Sequence, residues 1–103
     1  MGKLVRDNIP KIIQDDGRIV SWRKLEKTEL FEALRDKLLE EALEVKQASE
    51  NTVVLEICDV LEVVDALLDF LNLSVHDVLI MKEEKARERG KFNSGIWIDL
   101  EPK

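Results

Sequence analysis

"EEALEV" (residues 40–45) and "EICDVLEVVD" (residues 56–65) place carboxylates inside two segments whose apolar residues recur at helical spacing. Around the first, Leu30, Phe31, Leu34, Leu38, Ala42, Val45 and Ala48 follow one another three or four positions apart, which predicts an amphipathic helix over residues 28–50. Around the second, the pattern predicts a more apolar helix over residues 54–71. "SENT" (49–52) interrupts the two and offers Asn51 or Thr52 as the next N-cap. So short a connection predicts antiparallel neighbours.

A helix turns by about 100° per residue, which decides which acids are solvated and which face the partner helix. With Glu56 taken as zero, Asp59 falls near 300°, and Val60, Val63, Ala66, Leu67 and Phe70 fall between about 280° and 40°. Glu56 and Asp59 therefore lie in the apolar stripe, whereas Glu62, Asp65 and Asp69 fall together on the opposite side as solvated residues. On the first helix Leu34, Leu38, Val45 and Ala48 lie within about 60° of Glu41, with Glu44 near 300°. Glu41 and Glu44 interrupt that stripe, Glu40 borders it, and Glu29, Glu32 and Asp36 point away. Each helix offers a pair of carboxylates, three residues apart, to the other.

Four carboxylates meeting across a helix pair are unfavourable. Each loses hydration and each repels the rest unless protons or cations neutralise them. Lys37 is one nearby positive charge, and a hard divalent cation with all-oxygen coordination fits better, which points to Mg²⁺, with Mn²⁺ as a substitute. One ExxE or ExxD pattern is usually helix surface. Two on consecutive helices, both within the apolar stripe, carry more weight. A di-iron bundle needs two Glu-x-x-His motifs, and no Glu-x-x-His occurs in the sequence. The lone Cys58 closes no internal disulfide, and with His76 as the single histidine a zinc site of nitrogen and sulfur ligands is disfavoured.

The remaining chain reads as parts of the same unit, a single domain over residues 1–103. "DNIPKIIQDDG" predicts one or two helical turns, with Asn8 as N-cap, Pro10 in the first turn and Gly17 as the stop. "RIVSWRKL" (18–25) and "GIWIDL" (95–100) read as short extended segments, free to pair with one another. Ser74, followed three residues later by Asp77, opens a last helix that ends near Gly90. The fold class is thus all-α, an antiparallel helix bundle. The 103 residues carry 37% charged side chains with both signs interspersed and a net charge of −6. That balance argues against a nucleic-acid partner or an anionic membrane surface, and no apolar run approaches a membrane span. A cytoplasmic location is expected.

"EEALE" (40–44) followed by "EICD" (56–59) resembles the EExxE…ExxD signature of the MazG-like all-α nucleoside triphosphate pyrophosphatases, which include phosphoribosyl-ATP pyrophosphohydrolase. "KLVRDNIPKII" near the start and "KARERGKFNSGIWIDL" near the end resemble the flanks of a branch of small, presumed house-cleaning members. The 11 residues between Glu44 and Glu56 stand at the short end of the family's spacing. The resemblance implies Glu41, Glu44, Glu56 and Asp59 as Mg²⁺ ligands and Glu40 as a further ligand or water-orienting base, so that Glu40 and Glu41 carry the catalytic expectation. It implies hydrolysis of a nucleoside triphosphate to monophosphate and pyrophosphate, and a homodimer or homotetramer. Phosphoribosyl-ATP hydrolysis and a non-catalytic helical binding module are the alternatives.

A polyphosphate also needs cations. Lys82, Lys85 and Arg89 fall within about 60° of one another on the last helix. With Arg6 and Lys37 they are the substrate-binding candidates, although "KEEKARER" reads equally as solvated helix. Phe92 and Trp97 are expected to cover core or a subunit interface rather than to stack a base, and His76 to be a surface residue. Leu39 and Leu43 lie half a turn from the Glu41 stripe and give that helix a second apolar face.

Overall fold

The computed structural model describes residues 2–100 and is all-helical. Its elements are α1 (Ile9–Asp15), α2 (Lys27–Gln47), α3 (Val53–Phe70) and α4 (Val75–Arg89). The described residues contain no strand. The expected extended segments at 18–25 and 95–100 are neither helix nor strand, and no ladder pairs them, because neither stretch offers more than a few residues of alternating pattern. The chain divides into two compact units, one running to Asn72 and the other from Leu73 onward.

In the first unit α1 begins with Pro10 in its first turn, where a missing N–H costs nothing, and stops at Gly17, whose φ of 83° suits a residue without Cβ. Asn8 occupies the N-cap position but its side chain makes no capping hydrogen bond. At the start of α2 the Glu26 N–H donates to Glu29 Oε1 at 3.3 Å, and Arg23 pairs with the same carboxylate at 3.0 Å. Glu29 is thereby held below the usual carboxylate range, first by the Arg23 hydrogen bond and then by the Glu26 N–H.

α2 and α3 pack on one another. Between them the Val53 N–H donates to the Ser49 carbonyl at 2.9 Å, and the Ser49 and Thr52 hydroxyls hydrogen-bond at 3.1 Å, so the chain reverses within five residues. The pair is antiparallel: Phe31, near the start of α2, stacks on Phe70 at the end of α3, with ring centroids 5.1 Å apart and planes 7° from parallel. Arg35 lays its guanidinium over the Phe31 ring, 4.2 Å from its centre. Among the described residues Leu34 and Val63 are the buried apolar ones, and the third buried residue is Glu41. The periodicity of "EEALEV" is thus realised, with an acid at the depth of a core leucine.

The second unit holds α4. Ser74 caps it, its Oγ accepting the Asp77 N–H at 3.2 Å, and Gly90, with φ 84°, ends it. Phe92 and Trp97 are 97% and 84% exposed, so neither covers a core among the described residues of its own unit. Trp97 Nε1 donates to Asp99 Oδ1 at 3.0 Å. His76 and Cys58 are both exposed. No described helix is long and apolar enough to cross a membrane.

Candidate metal centre

Three residues before α2 ends and three after α3 starts stand Glu44 and Glu56, and one helical turn further from the connection stand Glu41 and Asp59. Each of the four presents one carboxylate oxygen, and these atoms all lie within 4.8 Å of one another. The four residues that helical spacing turned inward are those the fold brings together. Their burial is uneven: Glu41 is buried, Glu56 and Asp59 are half-buried and Glu44 is exposed. The wheel alone does not give the last of these, because the reversal after Gln47 leaves the end of α2 open to solvent.

The charges are only partly answered. Lys37 Nζ lies 3.4 Å from Glu41 Oε1 and 3.3 Å from Glu40 Oε1. Arg6, from the arm before α1, donates through Nη2 to Asp59 Oδ1 at 2.6 Å and lies 3.8 Å from Glu62 Oε1. Among the described residues no ion pair reaches Glu44 or Glu56. Burial opposes the charge of Lys37, but the hydrogen bond and charge of Glu40, then those of Glu41, outweigh it and hold the ammonium above its usual range. Glu41 is pushed the other way: burial first, then the neighbouring Glu44 carboxylate, raise it above the usual carboxylate range, and Lys37 offsets this only in part. Its second oxygen, Oε2, is buried without any hydrogen-bond partner. A buried carboxylate oxygen left unpaired costs free energy that a proton or a cation would recover.

The donor set fits a hard divalent cation. All four donors are carboxylate oxygens, and two pairs of acids stand against two side-chain cations, which leaves room for about two further positive charges. Oxygens on opposite sides of Mg²⁺ are about 4 Å apart and those around Ca²⁺ about 5 Å. A largest separation of 4.8 Å therefore lies within a small side-chain adjustment of either. Helix polarity adds to the need at one side: Glu56 sits in the first turn of α3, where the helix favours a negative charge, but Glu44 sits in the last turn of α2, where it does not.

Around the arm opens a cleft of about 850 Å³, lined by Arg6, Lys37, Glu41 and Asp59 together with apolar residues such as Leu34 and Phe70. Glu40 borders the four-acid cluster without joining it; its side chain is 44% exposed and is held by Lys37. Lys82, Lys85 and Arg89 lie exposed on α4 in the second unit. What the sequence reading missed is the grip of Arg6 on Asp59, a contact between residues 53 apart. No signal of local spacing could reveal it. No family model, no curated protein and no solved structure matches this chain.

Proposed function

We propose that this chain is a Mg²⁺-dependent nucleoside triphosphate pyrophosphohydrolase that releases monophosphate and pyrophosphate, with a house-cleaning role against ordinary or damaged nucleotides. The observation that carries the reading is the convergence of Glu41, Glu44, Glu56 and Asp59 with Glu41 Oε2 buried and unpaired. The likeness of "EEALE" and "EICD" to the family signature supplies the substrate class.

In this reading the four carboxylates hold the ion, and a bound divalent ion neutralises polyphosphate charge and makes an associated water more acidic. Glu40, at the edge of the cluster, and Glu41 beside it would orient a water near the ion, and Glu40 would accept its proton. Lys37 is fixed between these two acids, 3.3 Å from Glu40 Oε1 and 3.4 Å from Glu41 Oε1. The cleft beside them is wide enough for a nucleotide. The chain works as a homodimer or homotetramer: Leu39 and Leu43 on α2 and Val54 and Leu61 on α3 are each more than half exposed, and a second copy would cover that apolar surface.

A panel of ordinary and damaged nucleoside triphosphates, incubated with Mg²⁺ and assayed for phosphate products, tests the proposal. Pyrophosphate with monophosphate is expected, without early orthophosphate. Stepwise orthophosphate would mean a phosphatase, and Mg²⁺ binding without hydrolysis of any nucleotide would mean a binding module. Light scattering that finds a monomer at micromolar concentration would remove the oligomer.

A further inference from the structure

Arg6 is held by a cluster it does not belong to. It lies before α1, and its backbone is fixed by the first turn of that helix, the Ile9 N–H donating to the Arg6 carbonyl at 3.1 Å. Its guanidinium reaches across to α3 and takes Asp59 Oδ1 at 2.6 Å, with Glu62 Oε1 next to it at 3.8 Å. The Arg6 and Asp59 side chains are 56% and 38% exposed, so the bond is short but wet. Asp59 is also one of the four acids of the cluster, and Arg6 lines the cleft beside it.

We infer that Arg6 is an exchangeable cation: it occupies Asp59 while the cluster is empty of metal, and when a divalent ion claims Asp59 the guanidinium is released to bind a phosphate group in the cleft. The inference rests on the cluster being a metal site. A metal ion on Asp59 weakens the hold on the guanidinium, because the ion's charge offsets the carboxylate's attraction for Arg6. An ion pair this exposed is held only a few-fold over its open form, so a divalent ion can displace it. The freed group has the planar fork that matches a phosphate, and its backbone anchor at the start of α1 keeps it at the cleft. Metal therefore binds before the anion, and each metal-loaded molecule gains a phosphate contact that the metal-free molecule lacks.

Calorimetry with two titrants tests this, using Arg6→Gln and, as a control for lost charge alone, Lys3→Gln on the same arm. The first titrant is Mg²⁺ by itself. Arg6→Gln should bind it about two- to five-fold more tightly than wild type, and by a wider margin than Lys3→Gln, because the competitor for Asp59 is gone. The second titrant, added to the Mg²⁺-loaded chain, is a nucleoside triphosphate analogue with a methylene bridge between the α and β phosphates. Arg6→Gln should bind it about tenfold more weakly. Opposite signs from one substitution are the signature of exchange. A scaffold role for Arg6 would weaken both, and equal Mg²⁺ affinity in the two variants would overturn the latch. Tighter Mg²⁺ with unchanged analogue affinity would overturn the transfer to phosphate. Absence of Mg²⁺ binding in wild type would instead strike the metal centre itself, and the exchange with it.

Discussion

Where α2 begins and α3 ends, Phe31 stacks on Phe70 with the Arg35 guanidinium over the Phe31 ring, and Leu34 and Val63 are buried on the same two helices. Where α2 ends and α3 begins, the same two helices press four carboxylates together and leave one buried oxygen without a partner. The first end gains free energy from burial, with the cation over Phe31 adding to it. The second end loses it unless something positive enters. Two surfaces of one helix pair, made of the same hydrophobic repeat, thus differ: one holds the helices together, and the other gathers acids that could hold a metal ion.

The largest effect should come from the polar end. Glu56→Gln keeps the shape of the side chain and removes one charge of the cluster, so turnover should fall about 100-fold or more. The metal-free chain should stay folded, as stable as wild type or more so, since one repulsion is gone. Steady-state kinetics and a thermal melt in chelator check the two halves. Wild-type activity would remove Glu56 from the site. At the apolar end the opposite pattern is expected. Leu34 is only 5% exposed, and Leu34→Ala should cost about 3 kcal/mol of stability in urea denaturation, whether or not metal is present.

The difference between the ends was partly legible in the sequence. Helical spacing turned Glu41, Glu44, Glu56 and Asp59 inward because a repeat near 100° per residue fixes which side chains share a face before any tertiary contact is known. Spacing could not rank their burial. Glu41 lies deep because Lys37 and the body of α3 cover it, and Glu44 is open because the chain reverses just beyond it. The Arg6–Asp59 pair was out of reach for a different reason: the arm is positioned by α1, and nothing periodic links residue 6 to residue 59. The β-branched and aromatic residues of 18–25 and 95–100 suggested extended chain, but single short stretches form no ladder without a partner of matching register. Phe92 and Trp97 show the same limit, since their apolar character says nothing about whether this chain supplies the surface that covers them.

The pH response separates the ends more finely. The folded-state pKa of Glu41 is raised, by burial first and by Glu44 second, so the folded chain binds that proton more tightly than the unfolded one. The stability this contributes is fully present below the unfolded carboxylate pKa and is lost as pH rises through the raised value. In chelator, therefore, wild type should lose stability relative to Glu41→Gln across that window, and Mg²⁺ should restore it to wild type but not to the variant. Paired melts over a pH series measure it. A constant difference between the two proteins would contradict the account of the buried acid. The smallest effect belongs to the aromatic end: Arg35→Gln removes the cation above Phe31 and should cost about 0.5–1 kcal/mol, read by denaturation, with no change in Mg²⁺ binding.

The central claim, that the α2/α3 reversal builds a divalent-cation site, is tested most directly by titrating Mg²⁺ into the chelator-stripped chain while following its melting temperature. A ligand that binds only the folded state raises stability by mass action. The account predicts a saturable rise for wild type that is lost in Glu56→Gln and kept in Arg35→Gln. A melting temperature that does not move at saturating Mg²⁺, or that moves equally in Glu56→Gln, would contradict it.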